Sequence, residues 1–521
     1  MNLVVANATI VDGTGTPGIA GWVAVEGDRI AAVGRSGEEP PEATRTIDGG
    51  GLVVAPGFVD VHNHSDLSPF VLPTMPSTVR QGVTSVVVGN CGSSPFPLSS
   101  WDDGLSLAYV RSGADHPAPS WTAWGEYLDA IDAARPAVNI ATLVGHGSVR
   151  REVLGNERRA PTDAELAQMR TFVREALADG AVGMSTGLIY VPGIYAETDE
   201  VIALARAAAG LGGVYASHIR GEGRDLFRAI DEALAIGAAS ELPVHISHLK
   251  CETSKLWGHA DELLARLRDA PDATGDQYPY EAWNSSLSSL LPPWAPAEQI
   301  AEIAAADHER LRIAVEVGES DFQSSVEGVG WDRIMLETAP EPRWRGTSVA
   351  AVAEERGVDP FDAMVELLAA DPEISCIGHA MDPKDVRAIV ADPGVFVASD
   401  ASATSPEGPG GDLPVHPRDY GTFPRALALA RDDALLPLEA VVRKMTSLPA
   451  DRFGLTGRGR IEPGAFADLV LFDPVTIRDR ATYEHPHVFP EGIAAVIVNG
   501  EVAWSEDAPS IARAGRALRR P

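Results

Sequence analysis

Eight short apolar runs recur along the middle of this chain with stretches of helical composition between them, and few architectures accommodate that rhythm. The runs are VVAPGFVDV, TSVVVGN, AVNIATLVG, AVGMSTGLIY, GGVYASH, LPVHISH, ATGDQYPY and GVFVASD. Most are rich in Val, Ile or Tyr and end at Gly, Asn, Asp or His, the pattern of buried strands between turns. Helix formers such as DAELAQMRTFVREALADG and DEVIALARAAAGLG lie between several of them. A strand and a helix repeated eight times predict an α/β chain closed into a (β/α)8 barrel, a fold whose active sites gather at the carboxyl ends of the strands.

Polar residues collect at those ends. The first run closes on His62 and His64, whose i, i+2 spacing puts both imidazoles on one face of a strand. Cys91 follows the second run, His218 the fifth, His248 the sixth and Asp400 the eighth. A histidine pair alone reads equally well as two polar residues closing a strand, and a lone cysteine as a small buried hydrophobe. Together they are five metal-type ligands and a carboxylate aimed at one barrel mouth, and imidazole with thiolate suits zinc. Strand parity sorts the neighbours: Lys250 shares a face with His248, whereas His245 points the other way and is expected to be packed. Arg220 stands to His218 as Lys250 does to His248. His146, at the end of the third run, supports the site or is a hydrogen-bonded structural histidine. Cys251 and Cys376 read as structural, and His116, His259, His308, His379, His485 and His487 as surface or capping positions.

The two ends of the chain predict a second domain. Residues 1–55 alternate apolar and polar, and ADLVLFDP and AAVIVNGEVAW near the other end do the same. Such strands predict a small antiparallel β-sandwich built from both termini, with residues 56–430 forming the barrel and 431–521 its last helix and the rest of the sandwich. Over a hundred residues, about 285–390, separate the seventh and eighth runs and predict an insertion bordering the mouth, with LRIAVEV as a strand and FDAMVELLAA as a helix.

Composition narrows the function classes. With 45% hydrophobic and 22% charged residues in 521, there is chain enough for a large core and no apolar stretch that reads as a membrane span. MNLVVANATIVDG lacks the pattern of a secretory signal, and three scattered cysteines suit a reducing compartment, so cytoplasmic residence is expected. A formal net charge of −32 argues against a nucleic-acid or anionic-membrane partner.

At this point the chain resembles the metal-dependent amidohydrolases and, within them, the D-aminoacylase (N-acyl-D-amino-acid deacylase) branch. PGFVDVHNH, GRIEPGAFADLVLFDP and IVNG carry the general likeness; GNCG, STGLIYVPGIYA, SHIRGE, HISHLK, YPY, HPRDYGTFPR and RKMTSLPADRFGL carry the branch. The resemblance implies one tightly bound zinc on Cys91, His218 and His248, with His62 and His64 at a weaker second metal position. It implies Asp400 as the catalytic carboxylate, Lys250, Tyr280, Ser286 and Arg418 as the groups holding a substrate α-carboxylate, and an N-acyl-D-amino acid as the small-molecule substrate. Binuclear relatives commonly bridge their metals with a lysine after strand four, and AVGMSTGLIYVPGIYAE contains none. That absence, with Cys91, Lys250 and HPR, disfavours the main alternative, a hydantoinase- or dihydroorotase-like enzyme acting on cyclic amides or dipeptides. A barrel that has lost its chemistry would be expected to have lost ligands, and this one keeps all five. Two departures from the branch stand out: ASATSPEGPGGDLPV between Asp400 and HPR is long, and Ala401 replaces the usual Gly.

Overall fold

The computed structural model describes residues 1–97, 121–320, 322–408, 411 and 415–520. His116 lies outside the described residues. All eight runs form strands: Phe58–Asp60, Val83–Val88, Asn139–Gly145, Gly183–Gly187, Val214–His218, Val244–Ile246, Ala273–Gln277 and Val395–Val397. Each pairs in parallel with the next in chain order. The seam between the eighth and first strands is closed by local bonds. The Asp400 amide donates to the His62 carbonyl and the His64 amide to the Ala401 carbonyl, both at 2.8 Å. Just below, the Ser399 amide and hydroxyl donate to the buried Asp60 carboxylate at 2.9 and 2.5 Å. Asp400 is thus anchored to the backbone of His62, and His64 to that of Ala401.

Both termini build one eight-stranded sheet. Leu3–Ile10, Ile19–Glu26, Arg29–Arg35, Arg45–Asp48 and Val53–Pro56 join Leu469–Phe472, Ile493–Val498 and Glu501–Ser505. The sheet is mixed rather than purely antiparallel as expected, because Leu3–Ile10 runs parallel to both Arg45–Asp48 and Val53–Pro56. Its alternation serves two cores. Leu469 and Leu471 pack with Leu3, Val5 and Ile497 inside the domain, while Val470 and Phe472 pack with Phe58 and Val83 of the barrel. Burial on both faces explains why LVLF reads as an unbroken apolar run; each such side chain contributes about 1.5–3 kcal/mol.

The insertion has its own core, which includes Leu311, Trp344 and Phe361. Its three-stranded antiparallel sheet comprises Trp283–Ser286, Ile334–Leu336 and Ser375–Gly378. FDAMVELLAA is helical as expected, within Pro360–Ala370. LRIAVEV is not a strand: it ends the helical segment Ile300–Val317, which is kinked at Asp307 (φ −150°, ψ 64°), and it buries Leu311, Ala314 and Val315. Those spacings of three and four are helical. Among the described residues no helix is long and apolar enough to cross a membrane.

Candidate metal centre

Glycines bring the Cys91 loop to the middle of the barrel mouth. A Cβ at Gly187, the last residue of the fourth strand, would lie 2.1 Å from the Cys91 carbonyl oxygen, and one at Gly145 would lie 2.5 Å from that of Gly92. Only bare backbone at the ends of strands three and four lets the loop cross over them. Cys91, His248 and Asp400 all adopt positive φ, at 53°, 36° and 52°. Three non-glycine residues held in the left-handed region around one point indicate a site whose surroundings fix its geometry.

The Cys91 sulfur has three imidazole nitrogens around it: His62 Nε2 at 3.3 Å, His248 Nε2 at 3.5 Å and His218 Nδ1 at 3.7 Å. Asp400 joins from the seam, with Oδ1 at 3.0 Å from His64 Nε2 and 3.3 Å from His62 Nε2. Donor atoms of His62, Cys91, His248 and Asp400 lie within 4.8 Å of one another. All five metal-type residues are therefore brought together, with Asp400 beside them.

Two carboxylates that sequence reasoning assigned no role orient the histidines. Glu222 Oε1 is 2.9 Å from His248 Nδ1 and 2.6 Å from Lys250 Nζ. Asp276, from the seventh strand, is 3.4 Å from His62 Nδ1 and 2.7 Å from His245 Nε2, and accepts the His248 amide at 2.9 Å. A carboxylate on the outer nitrogen of a histidine fixes which nitrogen faces inward, the usual support of a metal-binding imidazole. Burial pushes the Cys91 thiol up, but the charge of His62 and hydrogen bonds with His218 and His248 outweigh it and hold it well below the ordinary thiol range. Burial likewise raises Asp400 and is outweighed by Arg418 and His62, and it raises Glu222 but is outweighed by Lys250 and His218. A thiolate, inward-facing imidazoles and carboxylates in their anionic forms suit a divalent ion.

A cavity of about 1510 Å³ opens above this group, lined by Lys250, Ser286 and Arg418 among others. Arg418 Nη1 is 3.0 Å from Asp400 Oδ2, its guanidinium lies 4.8 Å from the centre of the Tyr278 ring, and its Nε is buried with no hydrogen-bond partner. The Ser288 hydroxyl donates to that of Ser286 at 3.0 Å. Tyr280 departs from expectation: its hydroxyl is 3.3 Å from Asp479 Oδ2 and 3.5 Å from the Pro417 carbonyl, away from the cavity lining, where Tyr278 stands instead. The strand ends at Gln277, so facing rules no longer apply at the two tyrosines.

The remaining histidines divide clearly. His245 is packed, ring against Phe396 with centroids 5.4 Å apart. His146 is buried with Nε2 2.9 Å from Glu200, outside the cavity lining. His379 and His487 pack against Tyr483 and Tyr420 rather than standing free at the surface. Arg220 turns away from His218 to Glu232, at 2.9 Å.

The amidohydrolase family profile matches residues 45–305 and 386–503, leaving most of the insertion aside. A D-aminoacylase of Alcaligenes xylosoxydans xylosoxydans is 38% identical over 100% of this chain and 98% of its own length. An N-acyl-D-glutamate deacylase of the same organism is 37% identical over 100% and 97%. A crystal structure of D-aminoacylase superposes with a TM-score of 0.84 at 36% identity, covering both chains fully. The N-acyl-D-glutamate deacylase of Bordetella bronchiseptica, solved with zinc and a phosphonate that mimics the tetrahedral intermediate, gives 0.83 at 34%, covering 100% of this chain and 99% of its own. A D-hydantoinase shares the fold alone, at 0.56 and 15% identity. The likeness runs from end to end, and this chain belongs to the amidohydrolase family, in its D-aminoacylase branch.

Proposed function

We propose that this protein hydrolyses the amide bond of N-acyl-D-amino acids to a carboxylate and a free D-amino acid, using zinc at Cys91, His218 and His248. His62 and His64 form a weaker second position. The observation that carries this reading is the setting of Asp400, with one oxygen 3.3 Å from His62 and the other 3.0 Å from Arg418. When bound, zinc supplies Lewis acidity that polarises a carbonyl and makes water a usable nucleophile near pH 7.

Asp400 then has the work of a proton carrier. It accepts the proton of the attacking water and returns it to the departing nitrogen, general base first and general acid second. Arg418 and Lys250 hold the α-carboxylate, Arg418 as a planar fork and Lys250 as a compact charge. Ser286 and Tyr278, rather than Tyr280, supply further hydroxyls from the cavity wall. With the α-carboxylate and scissile carbonyl both fixed, the side chain can leave the α-carbon in one direction only, the basis for choosing one enantiomer. The named activities of the relatives support the D-configuration. A cyclic-amide hydrolase with a lysine-bridged metal pair is disfavoured by the fourth strand, Gly183–Gly187, which carries no lysine.

The test is turnover of paired N-acetyl-D- and N-acetyl-L-amino acids (Met, Leu, Phe, Lys, Glu), read as free amine, with and without chelation and zinc restoration. Turnover confined to the D-series and lost on chelation is expected. Silence on both enantiomers with zinc bound, or turnover of hydantoins instead, overturns the reading.

A further inference from the structure

Glu252 has no part in the chemistry above, yet it is only 6% exposed and lines the same cavity. It lies four residues past His248 and two past Lys250 on the segment leaving the sixth strand. Its acidic neighbours each have a cation: Glu222 has Lys250 at 2.6 Å and Asp400 has Arg418 at 3.0 Å. Among the described residues no cation forms an ion pair with Glu252; the Ser325 and Trp283 side chains are its polar neighbours, and Lys250 acts on it from further off. Burial, then the charge of Glu222, pushes this carboxyl up to about 7. Lys250 acts on Glu252 but is committed to Glu222 at 2.6 Å, and a buried carboxyl that shares its cation in this way gains from a cationic ligand.

We propose that Glu252 and Trp283 form a specificity wall that receives a cationic substrate side chain, so that the preferred substrates are N-acyl derivatives of basic D-amino acids and acidic ones are disfavoured. The inference rests on the deacylase reading. Lys250 holds the α-carboxylate in that reading, and Glu252 is two residues beyond it. What lies next to the α-carboxylate is the side chain on the α-carbon, whereas the acyl group lies across the scissile bond. A lysine- or arginine-type side chain gives Glu252 a cation of its own; a glutamate-type side chain meets a second carboxyl.

The experiment compares kcat/KM for N-acetyl-D-lysine, N-acetyl-D-glutamine and N-acetyl-D-glutamate in the zinc-loaded wild type and in Glu252→Gln, with Glu252→Ala as a second variant should the first fold poorly. The wild type is expected to favour the lysine derivative over the glutamate derivative by at least tenfold. Glu252→Gln should reduce that ratio by about tenfold, chiefly through KM. A purely structural role would lower all three substrates alike and leave the ratio in place. A ratio unchanged in both variants, or a wild type that prefers glutamate, overturns the proposal while the deacylase reading stands. Absence of turnover on every D-substrate overturns both.

Discussion

Glu222 shows at the scale of one residue how a carboxylate can set two neighbours, since a single oxygen meets both His248 and Lys250. Glu222→Gln keeps the shape but removes the charge, and it should weaken zinc binding about 10–100-fold, the usual effect of losing such support. A competition titration with a chromophoric chelator checks this, and unchanged affinity would show that His248 holds its orientation without help. The convergence of the five metal-type residues was legible in the sequence because each ends an apolar run, where strand parity and barrel geometry say what a side chain faces. Glu222 and Asp276 were not. SHIRGE places Glu222 four residues past His218, but the chain has left the strand by then, and its partners His248 and Lys250 come from another strand. Asp276 sits inside a strand, where one sequence cannot say which neighbouring strand supplies its histidines. Strand parity says nothing of Tyr278 and Tyr280, since both follow the last paired residue.

Among the elements, the Cys91 loop depends on bare backbone beneath it. Gly187→Ala puts a methyl 2.1 Å from the Cys91 carbonyl, contact with backbone that cannot step aside like a side-chain tip. It should cost about 1–3 kcal/mol of stability and displace the sulfur, so both the melting temperature and zinc affinity should fall. Retention of both would mean that the loop has room to move. At the opposite end of the barrel, a buried network docks the terminal sheet. Arg458 pairs with Asp468, both about 4% exposed; the Asn499 amide donates to Asp468 at 2.7 Å, and the Asn499 side chain donates to Asn139 at 2.7 Å. The motifs ADLVLFDP and IVNG are thus explained as structure rather than chemistry, in keeping with their place away from the strand carboxyl ends. Asp468→Ala leaves a buried guanidinium unpaired and should destabilise by about 3–5 kcal/mol; a melting curve within a degree of wild type would show that water or another group takes over. Elements with long or strongly alternating patterns were readable in advance. LRIAVEV was not, because seven residues rich in Val and Ile are too few to tell a helical period from a strand.

For the whole molecule, a net charge of −32 spread over one chain means self-repulsion at low ionic strength. The Debye length falls from about 30 Å at 0.01 M salt to about 10 Å at 0.1 M, so the melting temperature should rise by several degrees over that range; a fall would mean that surface ion pairs outweigh the net repulsion. The split terminal sheet was readable from two alternating ends, but its parallel pairs were not, since pairing direction is set by the path of the connections. The five metal-type residues and Asp400 meet only because the eighth strand closes on the first, which ties the proposed catalysis to the closed barrel. The most direct measurement is therefore zinc content and turnover of an N-acetyl-D-amino acid in the same samples of wild type and Asp400→Asn. Zinc retained at the wild-type ratio with turnover lower by about 10²–10⁴-fold is the expected result. Turnover near that of the wild type with zinc still bound would remove Asp400 from proton transfer and contradict the proposed mechanism.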